Sequence, residues 1–333
     1  MNFKHFIQQA NQYGKKRQAF FFVIDFEQQK PLIFTLEETK KCGVFFNILG
    51  HSNREKRTDF SAEPLNLLKM PLNLAEYKKG FSLVQNELQK GNSYLLNLTY
   101  PTEISINLSL EQIFYQSQAK YKLWVKDQFV CFSPECFVRT ENNQIYTYPM
   151  KGTIDATLPD AEQLLLNNEK EKQEHYTIVD LMRNDLAIVA KNIRVKHFRY
   201  VDKIMTERGA ILQTSSEIVG DLSENWRENI GSILANLLPA GSISGAPKEK
   251  TVEIIQQAEL GKRGYYTGVF GLFDGENMHS AVAIRFIEQQ SERYYFRSGG
   301  GITRHSILED EYAELLQKVY IPLNKQDKSA VKK

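Results

Sequence analysis

The 333-residue chain is short of the features that mark cross-linked, membrane-spanning or nucleic-acid-binding proteins. Its three cysteines, Cys42, Cys131 and Cys136, form no even-numbered framework and no metal-ligand spacing, which fits a reducing compartment. No apolar run approaches the length of a membrane span; the longest near the start is AFFFVI at 19–24. The opening segment MNFKHFIQQANQYGKK is amide-rich and lacks the apolar heart of a secretion signal. Charge of one sign is missing too: 42 basic against 40 acidic residues leave +2, too little for a field that would draw nucleic acid. The six histidines show no zinc pattern, and no serine or cysteine nucleophile motif, internal repeat or low-complexity linker is present. A cytoplasmic protein with no membrane and no nucleic-acid partner is expected.

The remaining composition, 42% hydrophobic and 25% charged, is that of an ordinary globular protein. A weak helical pattern at 3–12 precedes three strand-like runs at 19–26, 31–36 and 43–49, and residues 50–73 read as a surface loop or insertion. The repeat of Tyr77, Phe81, Val84 and Leu88 predicts a helix over 74–92, with Gly91 as its stop. A strand at 93–104 and a short helix at 109–119 follow. LWVKD, FVCFSPECFVRT and QIYTYP read as successive antiparallel strands. Helical pattern returns at 161–193, a strand at 211–220 and helices at 228–238 and 247–260. Three more strands, GYYTGVFGLFDG, MHSAVAIRFIE and RYYFRSGGGIT, lead to a last helix at 308–321. Strands and helices come in blocks, which argues for an α+β fold with antiparallel sheets. One domain over 1–323 is expected, with 1–73 completing the sheets and a disordered tail at 324–333.

YPMKGT, residues 148–153, carries the sharpest chemical signal. Pro149 cannot donate to a sheet ladder and is expected to end its strand, while Gly152 permits a sharp turn. Lys151 between them would be a nucleophile if desolvated enough to lose its proton, or a solvated lysine in a turn. Glu135 in SPECF lies sixteen residues earlier, across what should be one hairpin, and could be a general acid or an ordinary ion-pair partner. PAGSISGAPK (239–248) joins two helices and offers backbone amides to an anion, without the spacing of a phosphate-binding loop. RSGGGIT (297–303) brings three glycines to a strand end, where backbone can touch a ligand or a hairpin can flex. Glu171 and Glu174 share one helix face. Glu311 and Glu314 share another, with Lys318 one turn on; these are solvated faces or oxygen ligands for a hard cation. Arg285 sits in the apolar run AVAIRF, and Tyr266 near the start of the preceding strand; each is a structural residue or a ligand contact.

Taken together and in this order, these segments resemble the chorismate-utilising enzymes from about Leu74 to Ile321. PAGSISGAPK, EHYTIVDLMRND, GVFG, and SGGGIT with EYAELLQK carry the resemblance. It implies two antiparallel sheets packed on each other with helices outside. Within that family the lysine of YPMKGT is similar to that of aminodeoxychorismate synthase component I; anthranilate synthases typically carry alanine there. The resemblance implies that Lys151 attacks ring carbon 2 of chorismate, that Glu135 protonates the departing 4-hydroxyl, and that ammonia adds at carbon 4. The product would be 4-amino-4-deoxychorismate, the precursor of p-aminobenzoate and folate. The matching positions give Glu174 and Glu314, with Glu171 and Glu311 close by, to a magnesium ion. Tyr266, Arg285, Gly299, Gly300 and Gly301 would hold the enolpyruvyl group, and Gly152, Thr153, Ser242 and Lys318 the ring-carboxylate side. Leu95 replaces the glutamine or lysine of relatives, which weakens an isochorismate synthase reading, and Gln213 stands where anthranilate synthases usually have histidine. No glutaminase triad is present, so ammonia would come from solution or from a separate amidotransferase subunit. Anthranilate synthase component I and a non-catalytic chorismate-binding regulator are the alternatives.

Overall fold

The strand Phe20–Ile24 is buried on both sides. Phe20, Phe22 and Ile24 pack with helical residues Phe6, Ala10, Ile230 and Leu234. Phe21 and Val23 point the other way, where Phe21 stacks on Phe46 of a second sheet at 4.3 Å. A strand that is apolar on every residue therefore marks a sheet covered by helices on one face and by another sheet on the other. The computed structural model describes residues 1–55, 65–206 and 209–323.

The chain opens with α1 (Phe3–Lys15), β1 (Phe20–Ile24), β2 (Leu32–Thr35), α2 (Leu36–Lys41), β3 (Val44–Ile48), β4 (His51–Ser52), β5 (Leu67–Met70) and α3 (Leu74–Gln89). It continues through β6 (Leu95–Ile106), α4 (Leu110–Gln116), β7 (Tyr121–Val125), β8 (Phe129–Ser133), β9 (Cys136–Glu141), β10 (Gln144–Thr147) and β11 (Met150–Asp155). Then come α5 (Ala161–Asn167), α6 (Glu169–Ala187), β12 (Lys191–Thr206), β13 (Gly209–Asp221) and α7 (Ile230–Leu237). Last are α8 (Gly241–Ser244), β14 (Gly245–Ala246), α9 (Lys248–Ala258), β15 (Val269–Phe273), β16 (Met278–Val282), β17 (Phe286–Gln290), β18 (Arg293–Ile302) and α10 (Leu308–Gln317).

Two nine-stranded sheets result. One runs β11-β13-β10-β9-β16-β15-β1-β2 with β12 beside β13; the other runs β14-β6-β18-β17-β8-β7-β3-β4 with β5 beside β6. The pairings that build both are antiparallel, so the α+β expectation holds. A third apolar cluster, with Trp124, Phe132 and Phe296, closes the outer face of the second sheet under α4 and the segment through Val319 and Ile321. Among the described residues no helix is long and apolar enough to cross a membrane.

The differences from the sequence reading fall where function needs irregular backbone. FVCFSPECFVRT is two strands, not one: β8 belongs to one sheet and β9 to the other. MHSAVAIRFIE divides the same way into β16 and β17. The two divided strands pair with each other in both sheets, and the switch is held by Val282 N–H donating to Glu135 O at 3.2 Å and Phe132 N–H donating to Arg285 O at 3.1 Å. Arg285 is thus at a corner with φ +53°, not inside a strand. The stretch 50–73 contributes β4 and β5 rather than only loop; its residues 56–64 lie outside the described residues, as does the tail expected to be disordered at 324–333. Helix α6 ends at Ala187, and the charged run after it forms the long edge strand β12, whose polar residues gave no apolar alternation to read. β10 ends before Pro149, as expected, and α4 and α10 stop at Gln116 and Gln317, before the residues expected.

A buried ion pair joins the second sheet to the helices behind it. Arg263, 1% exposed, meets Glu259 at 2.6 Å and donates to the carbonyls of Ile243 (2.9 Å) and Asn97 (2.6 Å). Glu259 also accepts from Thr99 N–H at 2.9 Å. Truncating one member leaves the other charge buried and alone, so Arg263→Met is expected to lose about 3–5 kcal/mol of stability. Urea unfolding reads this directly, and a loss below about 1 kcal/mol would show that the pair holds nothing together.

Candidate active site

Strands β10 and β11 lie end to end along the same neighbour, β13. Thr147 is opposite Ile218 and Met150 opposite Ser215, and Ser216 N–H donates to Pro149 O at 3.0 Å between them. Lys151 therefore sits at the start of β11, beside the break that separates it from β10. The register shifts between Lys151 and Thr153, a bulge at Gly152, whose φ of +81° suits glycine. A Cβ on Gly152 would lie 3.0 Å from a Glu171 oxygen, so the position also lets the α6 carboxylate approach the strand.

Helix α6 starts at Asn168, whose side chain accepts from Glu171 N–H at 3.1 Å. Its inward stripe runs Glu171, Glu174 and His175, Ile178, Met182 and Asp185, three to four residues apart. Glu174 Oε2 receives Lys151 Nζ at 2.9 Å. Burial alone would depress the Lys151 pKa. The Glu174 charge and hydrogen bond, with Glu314 and Glu171 further off, outweigh it and hold the lysine as an ammonium. The carboxylate that keeps Lys151 protonated is Glu174, not the Glu135 foreseen from spacing.

The second acidic pair comes from α10. Lys318, just past the helix, bridges Glu314 Oε1 at 2.6 Å and Gly299 O at 2.8 Å. Burial pushes Glu314 up, but the Lys318 contact wins and keeps it low. Glu311 is buried, accepts from Ser306 Oγ at 2.7 Å, and is raised by burial. Glu171 is likewise raised by burial and then by Glu174. Gly300 makes this possible: a Cβ there would stand 3.1 Å from Glu311 and 3.6 Å from Glu314, and one on Gly301 would stand 3.7 Å from Lys151 Nζ and 3.3 Å from Leu95. The glycine strand is thus the floor between the lysine and both acidic pairs. Four carboxylates face two ammonium groups, a deficit of positive charge suited to a hard cation with oxygen ligands. Among the described residues no three such groups lie close enough together to form a ready-made metal cage.

Glu135 lies at the sheet switch. Its Oε1 accepts from Ser242 Oγ at 2.5 Å. Burial raises its pKa, while Ser242, Arg285, Lys318 and Lys151 pull against that rise. Ser242 is therefore beside the acid, whereas the resemblance implied a ring-carboxylate role. Its loop is tied down at several points. Asp185 meets Lys248 Nζ at 3.0 Å, and Ile243 O accepts from Arg263. Gly245–Ala246 then pair with Leu96–Leu95 of β6. Arg285 donates to Tyr320 Oη at 3.4 Å, and Tyr266 is buried against Phe286 with its phenol pushed up to about 12 by burial. Thr153 is exposed opposite Gln213.

His175, Asp185 and Arg263 were not singled out from sequence. The first two lie in EHYTIVDLMRND, on the stripe that carries the glutamates, and helical spacing was the signal for them. His175 is fully buried, with Nε2 2.7 Å from Ser216 Oγ and Nδ1 3.5 Å from Thr214 Oγ1; Thr214 in turn donates to the Lys151 carbonyl.

The chain belongs to the chorismate binding enzyme family, whose sequence profile matches residues 3–324. A protein of Haemophilus influenzae named only as PabA-like is 66% identical over 324 residues, covering 97% of this chain and 98% of that one. Bacillus subtilis aminodeoxychorismate synthase component 1 is 28% identical over 259 residues, 73% of this chain and 54% of the relative. Anthranilate synthase component 1 of Aquifex aeolicus is 35% identical over 195 residues, 56% and 38% of the two chains. Among solved structures, Escherichia coli MenF, the menaquinone-specific isochorismate synthase, superposes with a TM-score of 0.71 at 14% identity over 95% of this chain and 80% of that one. At that identity the likeness speaks for the fold alone.

Two outcomes follow from this geometry. Ser242→Ala removes a hydrogen bond that favours the Glu135 carboxylate, so Glu135 should deprotonate at higher pH than in the wild type; difference infrared spectroscopy of the carboxyl stretch reads it, and an unmoved titration contradicts the assignment. Burial, then Arg199, holds the His175 pKa down to about 4 from 6.5. The unfolded chain takes up a proton between those values that the folded chain refuses, so stability present above pH 6.5 is lost toward pH 4, by about 3 kcal/mol. In urea titrations across that window, His175→Phe should flatten the dependence; parallel curves for variant and wild type would contradict it.

Proposed function

We propose that the chain is an aminodeoxychorismate synthase component I, converting chorismate and ammonia to 4-amino-4-deoxychorismate and water. The observation that carries this reading is Lys151, half-buried on a glycine bulge, its ammonium 2.9 Å from Glu174 and beside the glycine floor. A lysine so placed is a nucleophile once it gives up a proton, and Glu174 is positioned to receive it. Lys151 Nζ then bonds to ring carbon 2 while the double bond shifts and the 4-hydroxyl departs. Hydroxide leaves poorly, and Glu135, raised by burial, supplies the proton that lets it leave as water. Ammonia bonds to carbon 4, the shift reverses, and Lys151 is expelled as an amine. The proton lost by the new ammonium returns to the Glu135 carboxylate.

Glu174 and Glu314, with Glu171 and Glu311 beside them, are the proposed ligands of magnesium, which supplies positive charge opposite the substrate's ring carboxylate. The unbalanced carboxylate charge supports this assignment. Arg285 and Tyr266 at the sheet switch are suited to the enolpyruvyl carboxylate. Ammonia comes from solution or from a separate glutamine amidotransferase subunit, in the cytoplasm, and a further enzyme would release p-aminobenzoate for folate.

Anthranilate synthase component I is the second reading, favoured by the higher local identity to relatives of that name. Pyruvate elimination has no use for a lysine at position 151. A non-catalytic chorismate-binding subunit would have no need of Glu135, Lys151 and both acidic pairs together.

The pure chain, given chorismate, magnesium chloride, ammonium chloride and an aminodeoxychorismate lyase, should form p-aminobenzoate; anthranilate as the main product would overturn the reading. Lys151→Ala should fall to background and Glu135→Gln should lose about 10²–10⁴-fold in kcat. Chelation with EDTA should stop turnover and added magnesium restore it; turnover indifferent to EDTA would remove the cation from the account.

A further inference from the structure

A cavity of about 20 Å³ adjoins Glu135 and Ser242 on the side of helices α6 and α7. That is room for one water-sized molecule. Phe137, Met182, Leu186 and Leu237 make its walls, and all four are buried. The charged groups that reach it are Glu135 and Asp185, with Ser242, Thr147, Tyr148 and Cys136 also in the lining. Asp185 and the Ser242 hydroxyl already have partners, at Lys248 and Glu135.

The reaction gives such a space a use. The hydroxyl that Glu135 protonates leaves from carbon 4, and the incoming nitrogen bonds to that same carbon. The nitrogen source must therefore arrive beside Glu135. The apolar walls leave no room for a hydration shell, so a hydrated ion is excluded, and the carboxyl groups at its inner end can accept the N–H groups of ammonia. The volume excludes chorismate and leaves little room for a carbon on the amine.

We propose that this cavity is the holding site of the ammonia molecule that attacks carbon 4. The proposal rests on the amination reading. The step balances: the nitrogen–carbon 4 bond forms, the bond between carbon 2 and Lys151 Nζ breaks with its electron pair returning to the lysine, and Glu135 takes the surplus proton.

Two variants outside the reacting groups test it in the full-length chain, with ammonium chloride and chorismate varied separately at fixed pH. Leu186→Phe narrows the cavity and should raise the KM for ammonium about tenfold while the KM for chorismate stays within about twofold. Met182→Ala widens it and should raise the kcat/KM ratio of methylamine to ammonia about tenfold. The second variant also serves if the first fails to fold, which thermal melting will show. An unchanged ammonium KM in the narrowed variant together with an unchanged methylamine ratio in the widened one would overturn the proposal and leave the cavity to an ordered water. Formation of anthranilate by the wild-type chain would overturn the aminodeoxychorismate reading, while the same two ratios would still decide the cavity.

Discussion

Two strands that leave one sheet and enter the other set the rest of the structure. β8 passes into β9 at Pro134–Glu135 and β16 into β17 at Ala283–Arg285, and they do so side by side, bonded across the break. Each flanking strand has buried residues on both faces, so neither can slip by one residue without turning core side chains outward. The break is therefore fixed, and an acid and a base are fixed with it. Glu135 and Arg285 are the residues whose backbone has left one ladder and not yet joined the next, which frees their side chains to face the space where the sheets part.

That space is furnished from outside the sandwich. Helices α6 and α10 bring carboxylates to a floor of glycines, and two lysines answer them unequally. Lys151 is held by Glu174 and Lys318 by Glu314, while burial raises Glu171 and Glu311. The arrangement is a ground state poised against reaction. Lys151 is held as an ammonium chiefly by Glu174, with Glu314 and Glu171 further off.

Much of this was legible before any coordinates. The periodic helix over 74–92 and the apolar runs of the sheets appear where alternation placed them, and YPMKGT, SPE, SGGGIT and both acidic faces do meet in one place. The sheet switches were not legible, because FVCFSPECFVRT and MHSAVAIRFIE read as unbroken strands; a buried strand looks alike whichever sheet it joins. Pro149 does mark the end of β10, and a separate strand, β11, starts right after it on the same neighbour. β12 was missed because an edge strand of lysines, arginines and histidine carries no apolar period. His175 and Asp185 lay in a quoted motif and were passed over because attention went to like-charged pairs. A buried histidine beneath Lys151 becomes visible only when Thr214 and Ser216 are seen on the adjoining strand.

The central claim is that Lys151 bonds covalently to the ring. Chorismate and magnesium without ammonia should leave that bond formed and unresolved. Rapid acid quenching followed by peptide mass spectrometry should find the mass of chorismate less one water on the peptide that contains Lys151, disappearing when ammonium is added before the quench. An enzyme that turns over chorismate with ammonia while that peptide never gains mass would contradict the account.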